Sequence, residues 1–255
     1  MHLIRSLRER SARRAKKQLI KKSTPPPRSR LYYFLIGRRK LKPLERRARE
    51  GDTAAQALLG SSFLFGTHGR HDTRESLKWT DKALATGHPH AKFLYGVRHM
   101  AGIDVVEDRA LAFRWLKEAA EEGYCHALSY VAWAYQHGFG IDPDPIEAAR
   151  WRTQAARGGM NSSQYALGLN YAKGEGVEKD MAKAYFWLCL ATRRKDRNTH
   201  ACHNPNPQAI LFRHAFVRDN LKRLRAQLEP DVLRGIEDAV RQWRPGEGYP
   251  DKLRR

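Results

Sequence analysis

Four aspartates recur along the chain at a constant step of 36 residues, at Asp72, Asp108, Asp144 and Asp180. Carboxylates held close together can act as a general acid and a general base, so this set is the one most easily mistaken for an active site. Each aspartate, however, has the same register in its own repeat. An aspartate at a helix N-cap accepts hydrogen bonds from backbone N–H groups that the first turn leaves unsatisfied. The spacing therefore predicts four helix caps.

Histidine and cysteine side chains could bind a metal ion where they converge. His200, Cys202 and His203 lie together, and His214 follows further along the chain. A structural zinc site needs four such ligands in a tetrahedral arrangement, and this spacing matches no known zinc pattern. We therefore expect a solvated loop here, and a metal site stays open as the alternative.

The other histidines and cysteines have structural interpretations. His88 and His90 flank a proline at a junction between repeats and are expected to pack or to face water. Cys125 and Cys189 fall within predicted helices, where we expect small buried side chains. Three cysteines in 255 residues give no disulfide framework, which favours a reducing compartment. Since no Ser/His/Asp signature and no phosphate-binding glycine loop is present either, we expect a non-enzymatic chain without a metal or a cofactor.

The elements that carry these residues follow from the same 36-residue period. In each unit, apolar residues three to four positions apart predict a first helix, and a glycine ends it. The aspartate then begins a second helix, which carries a tryptophan. Helix pairs repeated in tandem predict an all-α solenoid of about four 36-residue repeats. The defining columns, besides the aspartates, are Trp79, Trp115, Trp151 and Trp187, and Gly66, Gly102, Gly138 and Gly174.

The fourth unit shows the repeat motif most completely. Its characteristic residues are Ala166-Leu167-Gly168, Tyr171, Gly174-Glu175-Gly176-Val177, Asp180, Lys183-Ala184 and Trp187. This motif resembles the Sel-one-like repeat, a branch of the tetratricopeptide-like superfamily, over residues 43–195. The resemblance implies a right-handed α-α superhelix that acts as an adaptor in signalling, secretion or assembly, without enzymatic activity.

Composition divides the chain around these repeats. A stack of helix pairs needs a cap on its last apolar face, and two closing helices that end in a tryptophan are similar to the C-terminal pattern of many bacterial members. The predicted divisions are a basic, flexible arm with a Pro-rich linker (1–30), an N-terminal cap and degenerate half-repeat (31–51), four repeats over 52–195 (52–87, 88–123, 124–159 and 160–195), a loop (196–207), a C-terminal helical cap (208–245) and a tail (246–255).

The net charge of +21 is unevenly distributed. Residues 1–50 carry +15, residues 51–192 carry −1 and residues 193–255 carry +7. Net charge bears on partners and solubility more than on fold, so the basic arm predicts an anionic partner, with a solubilising tail as the alternative. Nucleic acid, ribosomes and an anionic membrane all fit, and such binding would weaken with salt. The expected contacts are Arg13, Arg14, Lys16, Lys17, Lys21, Lys22, Arg38, Arg39 and Lys40.

The neutral repeats predict a different kind of partner. Solenoids bind with a concave face lined by the first helix of each pair, and positions that vary in register are candidate contacts. We expect the groove to be lined by Arg98, Trp133, His137, Asn170 and Lys173. The sequence thus predicts a cytoplasmic scaffold that binds a protein or peptide in its groove. The alternative is a nucleic-acid-, ribosome- or membrane-associated protein that acts through its basic N-terminus, and organelle targeting stays open.

Overall fold

The structure, a computed structural model, describes residues 41–67, 71–192, 217–250 and 253. Regular secondary structure within these ranges is α-helical, as expected of an α-solenoid. Eight helices form four successive pairs: α2 (Thr53–Phe65) and α3 (Thr73–Leu84), α4 (Pro89–Ala101) and α5 (Arg109–Glu121), α6 (Cys125–His137) and α7 (Pro145–Arg157), α8 (Asn161–Lys173) and α9 (Met181–Thr192). Helix α1 (residues 41–49) precedes them, and α10 (residues 217–225) and α11 (Pro230–Gln242) follow.

The chain divides into two compact units, Met1–Ala83 and Leu84–Arg255. In the first unit, Leu41 and Ala48 of α1 join Leu59, Phe63 and Trp79 in one buried apolar cluster. Helix α1 therefore covers the apolar face of the pair α2–α3. The expected division of residues 31–51 into an N-terminal cap and a degenerate half-repeat stays a prediction.

The second unit contains the pairs α4–α5, α6–α7 and α8–α9, and its C-terminal helices cover the last of them. Phe186, Trp187 and Leu188 of α9 are almost completely buried. They share one apolar cluster with Leu224 of α10 and Ile236 of α11. Burial of this face against α10 and α11 removes it from water, which is the main stabilising contribution in such a stack.

Each aspartate of the repeat column caps the second helix of its pair and also closes the loop before that helix. The Asp108 side chain accepts a hydrogen bond from the Leu111 backbone N–H at 2.9 Å. Its own N–H donates to the carbonyl of His99, in the preceding helix, at 3.1 Å. The same two contacts recur at Asp72, Asp144 and Asp180. Because each carboxylate is bound by its own helix, these residues are structural.

Glycines end the first helices and allow the repeats to come close together. Gly138 ends α6 at a φ of +69°, in the left-handed region that favours glycine. Gly140, two residues later, touches the backbone carbonyl of Arg109 so closely that any side chain there would collide with it. Gly176 meets the carbonyl of Pro145 in the same way, one repeat further on. The second glycine of the turn is therefore required by the contact between neighbouring repeats.

Within each pair, a small residue of the first helix faces a larger residue of the second. A Cβ atom on Gly168 would lie only 2.7 Å from Cγ of Leu188. Gly96 and Leu116 repeat this packing at 2.6 Å. The third pair departs at both positions, since Ala132 replaces the glycine and Arg152 replaces the leucine. Both residues are buried. We infer that the two departures compensate each other, because the Cγ of arginine carries no branch and leaves room for the alanine methyl group.

Arg152 is nearly inaccessible to solvent, with 6% of its surface exposed. Its Nη1 donates to Oδ1 of Asn170 at 3.0 Å, and its Nη2 donates to Oε1 of Gln136 at 2.5 Å. Burial lowers the pKa of the guanidinium, and the negative charge of Glu175 opposes this effect. Because an arginine stays charged in proteins, these amide oxygens solvate a buried cation and join α6, α7 and α8.

Replacement of Arg152 by leucine tests this arrangement. The branched Cγ of leucine, with its second Cδ methyl group, should press on the Ala132 methyl group, and the buried oxygen of Asn170 would lose its donor. We expect the free energy of unfolding, measured by urea titration, to fall by about 2–4 kcal/mol. Ala132→Gly in the same chain recreates the Gly–Leu pair and should restore part of this loss. In the chain that keeps Arg152, Ala132→Gly should lower the free energy of unfolding by about 1 kcal/mol. If Ala132→Gly lowers this free energy by the same amount in the Arg152→Leu chain, the packing argument is contradicted.

Candidate partner-binding surface

The five residues expected to line a groove fall into two groups in the structure. Arg98 has no exposed surface and Asn170 has 4%, and both lie in the interior. Nη1 of Arg98 lies 3.3 Å from Oδ2 of Asp104, and Asn170 accepts the hydrogen bond from Arg152. This corrects the expectation for these two residues, because a side chain enclosed by its own fold cannot meet a partner. Their register is buried throughout, since Ser62 and Ala134 are also buried.

The other three candidates are on the surface. His137 and Lys173 are exposed, as are the residues at the same register, Phe65 and Ala101. Trp133 is 41% exposed, an unusual environment for so large an apolar side chain. These three residues project from the C-terminal halves of α6 and α8, and we call them the α6–α8 surface. Their contact with a partner remains a prediction.

Trp133 belongs to a small aromatic group. Its ring centroid lies 5.0 Å from that of His137 and 5.3 Å from that of Phe139. Nδ1 of His137 lies 2.9 Å from the Trp133 carbonyl oxygen, which holds the imidazole beside the indole. The guanidinium of Arg109 lies over the ring of Phe139, with its carbon 5.3 Å from the ring centroid. The group thus offers ring faces and edges to an apolar or aromatic side chain.

Buried Arg152 connects the two helices that carry the α6–α8 surface. It bonds to Gln136, which adjoins His137 in α6, and to Asn170, which lies one turn before Lys173 in α8. The two helices that carry the exposed residues are therefore held by one buried side chain. The sequence contains a signal for Arg152, since a charged residue stands at a register occupied by Thr80, Leu116 and Leu188 in the other repeats. The sequence analysis also did not identify Phe139 and Arg109, because they belong to two neighbouring repeats and only their packing brings them together.

A cluster of histidines and aromatic residues lies at the N-termini of α4 and α6. His88 caps α4, since its Nδ1 accepts a hydrogen bond from the His90 N–H at 3.2 Å. The buried His90 ring stacks on Tyr124 with centroids 4.9 Å apart. Burial lowers the pKa of His90 to about 4, and nearby His88 and His126 contribute to the shift. His88 and His90 thus act as a cap and a packing residue, in line with the expected structural role.

Neither metal binding nor thiol chemistry is supported among the described residues. In that part of the chain no group of three His, Cys, Asp or Glu side chains could hold a metal ion. His200, Cys202, His203 and the basic residues from Arg13 to Lys40 lie outside it.

Cys125 and Cys189 are only half-buried. Cys189 is a free thiol. Burial raises the pKa of the Cys189 thiol to about 11, which leaves it a poor nucleophile.

Comparison with known families identifies the repeat. The model of the Sel1 repeat matches four consecutive segments, residues 53–88, 89–124, 125–160 and 161–196. The chain belongs to the Sel1 repeat family. The Sel1 repeat is a non-catalytic scaffold fold, and proteins built from it generally act as protein-interaction scaffolds. Helices α2 to α9 are thus the four Sel1 repeats. No helix among the described residues has the length and apolar character needed to span a membrane.

Two solved structures are similar to this Sel1 repeat chain. A Sel1 repeat protein from Oxalobacter formigenes has 27% sequence identity and a TM-score of 0.56, over 72% of this chain and 79% of that one. A protective antigen present in uropathogenic Escherichia coli strains, which displays an SLR fold, has 22% identity and a TM-score of 0.43, over 78% of this chain and 47% of that one. A search of curated proteins found no match.

The His90 environment predicts how stability depends on pH. The pKa of His90 in the fold, about 4, lies below the value of 6.5 for an exposed histidine. The unfolded chain therefore binds more protons between these values, and stability falls as the pH decreases from 6.5 towards 4. We expect His90 to account for about 2 kcal/mol of loss between about pH 7 and pH 5. Urea titrations of the variant and of the intact chain should show that His90→Phe reduces this loss. Equal losses in the two proteins would contradict the assignment.

Proposed function

We propose that the protein is a non-enzymatic scaffold that binds a protein or peptide partner on the α6–α8 surface. The observation that supports this most directly is the exposure of Trp133. The other units have Ser61, Val97 and Leu169 at this register. Tryptophan is among the residues that contribute most to binding energy at interfaces. An indole that its own fold does not cover favours an interface with a partner.

The surroundings of Trp133 define what the partner offers. His137 and Phe139 flank the indole and leave part of its face accessible. Nζ of Lys173 lies 3.2 Å from a carboxylate oxygen of Glu175, so the cation at this edge is already paired. The surface is therefore apolar at its centre and electrically balanced at its edge, the usual arrangement of a protein interface. An apolar or aromatic side chain of the partner packs against Trp133.

Partner capture tests this proposal. The intact protein and the variant Trp133→Ala/Lys173→Ala are used as baits, and captured proteins are quantified by mass spectrometry. We expect the recovery of specific partners to fall by about tenfold or more, because the central apolar contact is lost. Ile146→Ala is the matched control, since Ile146 is also an exposed apolar residue of this unit. Unchanged recovery with the double variant would overturn the assignment of the surface.

A second candidate function rests on the separation of charge along the chain. The net charge of +15 over residues 1–50 contrasts with −1 over residues 51–192. We propose that the basic arm binds a polyanion, either nucleic acid (ribosomes included) or an anionic membrane. Several phosphates could be neutralised at once by Arg13, Arg14, Lys16, Lys17, Lys21 and Lys22. Release of their counterions would drive the binding.

Salt dependence distinguishes this function from a solubilising tail. Single-stranded RNA and vesicles that contain phosphatidylserine serve as the two probes. Deletion of residues 1–30 should weaken binding to the true partner by about tenfold or more at low salt, and should flatten the plot of log affinity against log salt. A full-length variant with glutamine at those six basic positions should behave like the deletion. If both variants bind both probes as the intact chain does, the arm is not the binding segment.

A further inference from the structure

A cleft of about 1170 Å³ lies between the last two Sel1 repeats and the segment that follows α11. One wall includes Arg157 of α7 and Lys183 of α9. The other includes Arg244, Glu247 and Tyr249. We call this the cap cleft. It shares no residue with the α6–α8 surface, so it is independent of the function proposed above.

The outer wall of the cap cleft is held in place by hydrogen bonds. The N–H of Gly246 donates to the carbonyl of Arg157 at 2.7 Å, which joins the segment after α11 to the end of α7. Nε1 of Trp243 donates to the carbonyl of Glu247 at 3.0 Å. The ring of Tyr249 packs edge-on against Phe186 of α9, with centroids 5.3 Å apart. The wall is thus formed before any ligand arrives, which lowers the entropic cost of binding.

The lining combines aromatic rings with cations. Tyr171 and Tyr249 each lie close to Nζ of Lys183, at 5.5 and 6.0 Å from their ring centroids. Lys183 is ion-paired with Asp180 at 2.8 Å, and Arg241 is paired with Asp238.

Two of the cations are not neutralised in this way. Arg157 and Arg244 are exposed and form no ion pair with any described residue. The carboxylate of Glu247, which accepts a hydrogen bond from the Arg244 backbone N–H at 2.8 Å, offsets this charge only in part, so the cap cleft carries excess positive charge at these two guanidinium groups.

The charge and size of the cap cleft select its occupant. Excess positive charge favours an anionic group, and arginine binds carboxylates in a two-pronged geometry. The volume exceeds the range of roughly 300–1000 Å³ that is usual for small-molecule sites, which favours an extended polymer. Nucleic acid carries a phosphate at every step, and the carboxylate of Glu247 in the lining opposes such a continuous line of negative charge.

The chain's own remaining segments do not match this charge. Residues 1–40 contain 14 Lys and Arg but a single acid, and residues 193–216 contain 5 Lys and Arg but a single acid. Basic segments would be repelled by Arg157 and Arg244. We propose that the cap cleft binds an acidic peptide segment of a partner protein. Carboxylates of the peptide pair with Arg157 and Arg244, and an apolar side chain between them packs against Tyr171 and Tyr249.

A charge-reversal experiment on the full-length chain tests this proposal. The probe is a fluorescein-labelled peptide in which single glutamates, separated by uncharged residues, lie on either side of a central phenylalanine. Its affinity is measured by fluorescence anisotropy near physiological salt. We expect Arg157→Glu/Arg244→Glu to weaken binding by about tenfold or more. The control Arg114→Glu/Arg223→Glu has the same net charge, and both of its sites are exposed arginines outside the cleft. This control should weaken binding by less than about twofold. Thermal melts verify that both variants are folded.

Each other outcome has a defined meaning. Equal losses in the two variants would mean that the peptide binds through overall charge or through the basic arm, and would overturn the proposal. Equally tight binding of the same peptide with glutamine in place of glutamate would also overturn it. Displacement of the peptide by single-stranded RNA, with the same dependence on Arg157 and Arg244, would make the cleft a nucleic-acid site instead. Trp133→Ala should leave peptide binding intact, which separates failure of this proposal from failure of the first.

Discussion

The close approach of helices at positions without a side chain is the constraint on which the rest of the structure depends. Gly96 and Gly168 lie so near Leu116 and Leu188 that even a methyl group would have to displace a neighbour. At this distance the tryptophans and leucines of the second helices can pack into a dense core. The same requirement recurs between repeats, where Gly140 and Gly176 touch backbone carbonyls of the preceding repeat.

The third repeat shows how this constraint can be met by a different pair of residues. Ala132 and Arg152 replace the glycine and the leucine together, and the arginine brings a charge into the interior. That charge is solvated by amide oxygens of Gln136 and Asn170. The different packing of the third repeat therefore goes together with hydrogen bonds that join three helices. The exposed Trp133 lies on one of these helices. The structural irregularity and the candidate surface lie in the same part of the fold.

Charge is separated from packing along the chain. The repeats are almost neutral and have an aromatic surface, whereas the ends of the chain are basic. The cap cleft lies where these two kinds of surface meet, since α7, α8 and α9 contribute to it together with the segment after α11. Our two proposals together describe a Sel1 repeat scaffold that holds two partners, or two parts of one partner, by an apolar surface and by a cationic cleft.

The sequence by itself determined the family, the helix pairs and their ends, because capping and helix termination depend on residues only a few positions apart. Asp108 caps its helix and Gly138 ends its helix as the local pattern predicts. The sequence alone could not tell the buried residues Arg98 and Asn170 from the exposed residues His137 and Lys173. A repeat position varies in residue type when it faces solvent, but it also varies when it is buried and its packing partners change with it. Only the tertiary structure decided this, and it also placed Arg157 beside Gly246, 89 residues later in the chain. Contacts of that kind depend on how whole helices pack, and no local pattern of residues encodes them.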